Sequence, residues 1–452
     1  MGNYFGTDGY RGKVGEDLTA ENAYHVGRFL GAYIRRGKRH RPRVALGRDT
    51  RLSGAMLECA LVAGLCASGA DAYLLGVTST PCISFVCEQG CFDAGIMISA
   101  SHNPYDDNGI KLFDGAGEKM DDELVCELER YLDEVREHRV SLSYATEDAV
   151  GTVYDGTREK EAYITHLKAL LPISLTGYTL ALDCANGSTA SFAGEVFSSL
   201  GATVHLIGVH PDGTNINEHT GSTHIETLAS YVKAHRIDIG FAFDGDGDRC
   251  LAVDAEGRVV TGDHILYLLA RHLHARGRLA EATVVATVMS NFGLHQALAR
   301  HGISTLTTAV GDRYVYECMR ERGLSLGGES SGHIILSDDA RTGDGILTAL
   351  RVMEAVVTSG VPLSALTDDL HLLPQVVRSV RVKEKKSAIS HESLCRTVAS
   401  IRKSLSGSGR LLVRESGTEP LIRVMVEASS EALAEQYASE VIKVIEEGER
   451  YV

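Results

Sequence analysis

Between residues 43 and 98 the β-prone runs RVALG, AYLLG and AGIMIS are interrupted by the helix-like stretch LECALVAGLCASG, and that alternation permits few folds. Strands joined by helical crossovers pair in parallel and bury both faces, so the segment predicts a βαβ unit. The grammar returns over residues 178 to 243, with YTLALD, a helix around FAGEVFSSLG, VHLIGV and IDIGFAF. It returns again from residue 283, with TVVATVMS, a helix through Leu294 and Leu298, ISTLTTAV, a helix at YVYECMRERG and a strand before Gly327. From about residue 374 the pattern changes to QVVRSVRV, a helix near 390 to 404, the paired strands RLLVRE and LIRVMVEA, and a helix from Ala432 to Glu446. The reading is three tandem α/β domains (1–152, 153–254 and 255–372) followed by a small α+β domain (373–452). No long Pro/Ser linker separates them, which predicts packing around a shared cleft.

Composition narrows the partners. The 452 residues carry 45 Lys and Arg against 60 Asp and Glu, a net −15 that disfavours nucleic acid and anionic lipid. With no apolar run near the ~20 residues that cross a bilayer, and no signal-like start, no membrane association and a cytoplasmic location are expected. The 10 cysteines contain no C-x-x-C pair and mostly lie in apolar stretches, so buried free thiols are expected.

Parallel sheets place their functional loops at the carboxyl ends of strands. After AGIMIS comes Ala100-Ser101-His102-Asn103-Pro104, with Lys111 ten residues behind Ser101: a hydroxyl able to carry a phosphoryl group and a cation able to neutralise it or move protons, or else a polar turn. After IDIGFAF comes Asp244-Gly245-Asp246-Gly247-Asp248-Arg249. Its glycines let alternate carboxylates converge, and converging hard oxygens suit Mg²⁺. The loop is no EF-hand, because Arg249 and Ala255 stand where Gly and Glu are needed, and no dinucleotide fingerprint, because Cys250 takes the third glycine position.

The third loop, Gly327-Gly328-Glu329-Ser330-Ser331-Gly332-His333, contains a formal G-x-S-x-G. A nucleophile elbow needs a helix next, but HIILS is β-prone, so hydroxyl recognition by Glu329, Ser331 and His333 is the better reading and a hairpin tip the plain one. The fourth, Arg414-Glu415-Ser416-Gly417-Thr418-Glu419-Pro420 with Arg423 beyond, offers two guanidinium groups, two hydroxyls and an approachable backbone for a phosphate. Near the start, Gly6-Thr7-Asp8-Gly9-Tyr10-Arg11-Gly12 adds Arg11.

Together these are parts for phosphoryl transfer. In this order, SASHNP, DGDGDR, GGESSGH and RESGTEP resemble the α-D-phosphohexomutase superfamily over essentially the whole chain. The stretches MISASHNPYDDNGIKLF, VMSNFGLHQALARHGI, AVGDRYVYECM and RTGDGI look most like its glucosamine-phosphate branch; Ser330 departs from it, standing where that branch usually carries Gln or Asn. The resemblance implies α/β domains with mixed sheets around a central cleft, and exchange of glucosamine 6-phosphate with glucosamine 1-phosphate through a phosphoserine at Ser101 and a hexose 1,6-bisphosphate. It implies Mg²⁺ on Asp244, Asp246, Asp248 and a phosphoserine oxygen, and positive charge from Arg249 and Lys111. It further implies acid/base duty for Lys111 and His333 with Arg11 assisting, sugar contacts from Glu329 and Ser331, a phosphate clamp of Arg414, Ser416, Gly417, Thr418 and Arg423, and a homodimer. The other readings are a sister mutase for mannose or glucose phosphates, a Mg²⁺-dependent phosphatase and an idle sugar-phosphate sensor.

Overall fold

The structure, a computed structural model, describes residues 4–6, 8–38, 40–140, 142–415 and 420–450, with Cys91, Glu449 and Arg450 by backbone alone. Two compact units emerge: residues 1–289 with 303–367, and residues 290–302 with 368–452.

The first unit holds three sheets built on one plan. In the first, the parallel strands Asp71–Val77, Arg43–Arg48 and Ala94–Ile98 lie side by side, and Asp107–Asp114 returns antiparallel beside the last. In the second, Thr203–Ile207, Thr179–Asp183 and Ile239–Phe243 are parallel and Cys250–Asp254 returns. In the third, Ser304–Thr308, Thr283–Thr287 and Leu326–Gly328 are parallel and Ile334–Leu336 returns. Each returning connection is one of the loops singled out above: residues 99–106, 244–249 and 329–333. Equivalent strands therefore place three loops of unlike composition at the same point of three mixed sheets.

Short edge strands extend this plan. Phe5–Gly6 and Gly9–Lys13 add to one side of the first sheet and Val153–Asp155 to the other, while Val259–Val260 adds to the second. The first two sheets thus run past the expected divisions at 152 and 254. Edge pieces of two or three residues are fixed by backbone pairing and leave no hydrophobic period to read. The third loop is a hairpin, with Leu326 opposite Leu336 and Gly328 opposite Ile334, so the helix a nucleophile elbow requires is absent there.

In the first domain the helices Ala20–Arg35 and Gly54–Ala67 cross at very short range. The first begins at a capping box, with Thr19 and Asn22 satisfying each other's end of the helix. A Cβ on Gly64 would lie 2.2 Å from the Tyr24 carbonyl oxygen and 2.7 Å from the Arg28 nitrogen, both backbone atoms that cannot swing aside. Gly64→Ala should therefore destabilise the protein by about 1–3 kcal/mol, the usual cost of overpacking. Thermal unfolding would register it as a lowered midpoint, and an unchanged midpoint would mean that the two helices can part freely.

The second unit is an antiparallel sheet in the order Gln375–Arg381, Leu421–Glu427, Arg410–Glu415, covered by the helices Glu392–Ser404 and Glu431–Arg450. Val376, Leu394, Ile401, Val424, Ala438 and Val441 lie in its core. The helix Phe292–Arg300 belongs to this unit, although in sequence it is the crossover between two strands of the third sheet. The fully buried Glu427 carboxylate accepts from the Phe292 N–H at 2.9 Å, an anion at the helix's amino end, and Gln296 donates to the Gly407 carbonyl at 2.9 Å.

All nine described cysteines are free, as expected, but only Cys82, Cys87, Cys184 and Cys250 are buried. Cys59, Cys126 and Cys395 are exposed on helices, because an apolar-looking stretch of helix still has an outer face. Among the described residues no helix is long and apolar enough to cross a membrane.

Candidate active site

Ser101 follows the carboxyl end of the strand Ala94–Ile98 at φ +53°, a left-handed conformation, and is buried. Its hydroxyl donates to Asp244 Oδ2 at 2.6 Å, which joins the first returning loop to the second. The carboxylates of Asp244, Asp246 and Asp248 converge, with one oxygen from each within 4.8 Å of the others. All three are buried, and Asp246 Oδ1 and Asp248 Oδ1 have no hydrogen-bond partner. Buried oxygens left unpaired beside like charges are costly unless a cation joins them, so the trio fits a hard metal ion. Asp244 shows the strain: burial first, then the charges of Asp248 and Asp246, hold its carboxyl well above the usual range.

Lys111 lies on the returning strand Asp107–Asp114, and its Nζ reaches Asp246 Oδ2 at 2.7 Å, Asp248 Oδ2 at 3.2 Å and Asp8 Oδ1 at 3.5 Å. Burial alone would depress its ammonium; the carboxylates of Asp246, Asp8 and Asp248 outweigh that and raise it well above normal. Thr80 adds a hydroxyl donor to Asp246 Oδ2. Arg249 donates its backbone N–H to Asp244 Oδ1 at 3.1 Å and keeps a buried Nε without a partner.

The third loop is bonded to the second. Arg249 and His333 form an isolated antiparallel bridge, and the Cys250 N–H donates to the Gly332 carbonyl at 3.0 Å. His333 Nδ1 stands 3.7 Å from Asp248 Oδ1 and its Nε2 stands 3.5 Å from Asp312 Oδ2. The Gly343 N–H also donates to Nε2, at 3.1 Å, a contact that suits the neutral ring. Burial also opposes the imidazolium, but Asp248, Asp312 and Glu329 prevail and hold the pKa at about 9. Glu329 Oε1 accepts from the Gly311 N–H at 3.0 Å, and Ser331 Oγ is buried with no partner. Of Ser330, the backbone carbonyl is taken by the Gly262 N–H at 3.1 Å.

Arg11 pairs with Asp8, and Asp8 is held far below the usual range: burial would raise it, but Lys111, Lys119 and Arg11 outweigh that. Lys119 continues the chain of charges from Asp8 at 2.9 Å to Asp312 at 2.6 Å. Ser101, the aspartate trio, Lys111, Arg249, His333 and Arg11 thus form one neighbourhood in the first unit. Asp8, Thr80, Lys119 and Asp312 belong to it too, and sequence reasoning missed them. Asp8 sits near Arg11 in the same glycine-bracketed loop, and Asp312 lies within AVGDRYVYECM, a stretch that carries only the resemblance; Lys119 gives no signal of its own.

In the second unit Arg414 and Arg423 are direct cross-strand partners. Like charges in that register repel, and burial together with Arg423 lowers the Arg414 guanidinium, so an anion between them would relieve both. Ser416, Gly417 and Thr418 lie outside the described residues.

Comparison with known proteins agrees with this geometry. Residues 2–139, 161–257 and 261–372 match phosphoglucomutase/phosphomannomutase α/β/α domains I, II and III, and residues 379–444 match the C-terminal domain of the same family. A phosphoglucosamine mutase from Lachnospira eligens is 50% identical over 449 residues, 98% of each chain. One from Bacillus subtilis is 46% identical over 445 residues, again 98% of each. Among solved structures, a phosphoglucomutase/phosphomannomutase family protein from Burkholderia thailandensis superposes with TM-score 0.78 at 26% identity, covering 98% of this chain and 97% of that one. Aspergillus fumigatus N-acetylphosphoglucosamine mutase, solved with GlcNAc-6P and magnesium, shares the fold with TM-score 0.67 at 18% identity, covering 99% and 96%. With all four domain models matched in order along the sequence, the chain belongs to the phosphoglucomutase/phosphomannomutase family.

Proposed function

We propose that this chain interconverts glucosamine 6-phosphate and glucosamine 1-phosphate, with Ser101 as a phosphoryl relay. The observation that carries the reading is the Ser101 hydroxyl donating into a buried carboxylate trio that also holds Lys111. The phosphorus–oxygen bond to Ser101 breaks as a bond to O1 of the sugar forms, giving the 1,6-bisphosphate. After the intermediate turns over, its 6-phosphoryl group passes back to Ser101 and glucosamine 1-phosphate leaves. Lys111 and His333, buried cations beside the transferring group, hold or release the hydroxyl proton at each transfer, and Arg249 and Arg11 add positive charge there. Glu329 and Ser331 take the sugar hydroxyls, the latter with an oxygen that has no partner of its own. The four-domain division at 152, 254 and 372 is part of the reading, and Arg414, Ser416, Gly417, Thr418 and Arg423 hold the phosphate that is not reacting, fixing orientation. Mg²⁺ on Asp244, Asp246, Asp248 and a phosphoserine oxygen would neutralise charge spreading over the phosphoryl group.

The amino-sugar preference rests on the full-length relatives, which are phosphoglucosamine mutases at 46–50% identity. Turnover of glucosamine, mannose and glucose 6-phosphates side by side tests it. A strong preference for the amino sugar is expected; equal rates would move the chain to the mannose/glucose branch, and release of inorganic phosphate at the isomerisation rate would make it a phosphatase.

A further inference from the structure

We propose that Arg51 and Asn217 are positioning residues for the reacting serine, clamping its backbone carbonyl from loops of two different domains. The inference rests on the relay reading of Ser101.

A serine at φ +53° sits in the left-handed region that L-residues rarely adopt, so something must hold it there. Arg51, just past the strand Arg43–Arg48, does so with a side chain entirely shut off from solvent. Its Nη2 donates to the carbonyls of Ser101 and Asn103, each at 2.9 Å, and its Nη1 donates to those of Asp107, at 3.1 Å, and Pro104. One guanidinium thus gathers four carbonyls of the serine loop. From the second domain, buried Asn217 donates its Nδ2 to the same Ser101 carbonyl at 2.9 Å and the same Asn103 carbonyl at 3.1 Å.

Asp49 completes the arrangement. Its carboxylate accepts from Arg51 Nε at 2.8 Å and from the Ser99 hydroxyl at 2.5 Å, and Ser99 Oγ in turn accepts the Ser101 N–H at 2.9 Å. Both backbone polar groups of Ser101 are therefore tied down. The metal-loop backbone presses on the same carbonyl: a Cβ on Gly245 would lie 2.5 Å from it. Because Arg51 is paired with Asp49 and donates to backbone carbonyls of the serine loop, it acts on the reaction through geometry. That suits a relay which must present one oxygen in one place twice per turnover, once to each end of the sugar. A lysine at 51 has no planar fork and cannot gather four carbonyls.

The test uses full-length Arg51→Lys, Asn217→Gly and their combination; glycine at 217 tolerates the native φ of +59° while removing the clamp. Enzyme is loaded with glucose 1,6-bisphosphate, and the phosphorylated fraction is counted by intact mass. Turnover per phosphorylated site is expected to fall about 30-fold or more for Arg51→Lys and about 10-fold for Asn217→Gly, with KM for glucosamine 6-phosphate within about threefold, as misplacement of a reacting atom costs rate more than affinity. Since both hold one carbonyl, the combined loss should be smaller than the product of the single losses. A purely structural role would lower the melting temperature and the loaded fraction but not turnover per loaded site. Turnover within threefold of wild type in a folded variant, or a loss appearing entirely in KM, overturns the proposal. If Arg51→Lys does not fold, Asn217→Gly decides alone. A wild type that loads Ser101 but does not isomerise rejects the mutase reading instead, and the loading rate, expected to slow by the same factors, then judges the clamp. A wild type that never loads overturns both.

Discussion

Ser101→Ala should lower isomerisation of glucosamine 6-phosphate by about 10³-fold or more, because removal of a covalent nucleophile leaves only binding and orientation to act. The same variant should gain no phosphoryl mass from glucose 1,6-bisphosphate. Its fold should survive. The side chain makes one close bond, to Asp244, and Asp244 Oδ1 keeps its bond from the Arg249 backbone. Alanine at φ +53° adds little strain beyond what serine already bears, and the clamp on the loop acts through backbone atoms. Activity should therefore collapse while the melting temperature moves by only a few degrees. Turnover within tenfold of wild type would remove Ser101 from the pathway. Thr80, whose hydroxyl already donates to Asp246, would then be the next candidate to test.

The strand-end rule singles out the loops to which the proposed chemistry is assigned because each of the three is the return from a parallel strand to an antiparallel one. Ser101, the aspartate trio and Glu329 all carry residue types whose chemistry is specific enough to stand out in such a loop. Arg51 escaped notice although it too follows a strand, Arg43–Arg48, because an arginine beside an aspartate reads as an ordinary surface pair until burial is known. Asn217 had no signal at all; its loop has no period, and its partner lies 116 residues away in sequence. Lys119 and Asp312 meet across 193 residues for the same reason. Local pattern reveals which strands exist and where they end, but the partners that desolvate and orient a side chain come from elsewhere in the chain. The helix Phe292–Arg300 makes the point for the fold. Its periodicity is plain, yet its place with the C-terminal unit is set by partners far along the chain, among them the buried Glu427 carboxylate and the Gly407 carbonyl.

Lys111→Met offers the sharpest separation of charge from shape, since methionine keeps an unbranched chain and loses the ammonium. That ammonium lies 2.7 Å from Asp246 and 3.2 Å from Asp248, and its raised pKa keeps it charged throughout the neutral range. Deleting one partner of a buried ionic cluster leaves uncompensated charge and typically costs about 3–5 kcal/mol. The melting temperature of Lys111→Met in EDTA should accordingly fall below that of wild type, and added Mg²⁺ should restore much of the difference by binding the folded state alone. Calorimetry should find Mg²⁺ bound at least as tightly as in wild type, because a competing cation has left Asp246; Asp246→Asn, which removes a proposed ligand, should bind it more weakly. Turnover should nonetheless fall by about 10²- to 10⁴-fold, the range for losing a positioned proton-transfer group. A variant that lost activity only because its metal fell out would show the opposite binding result, and one with wild-type stability in EDTA and turnover within tenfold would free Lys111 from both roles.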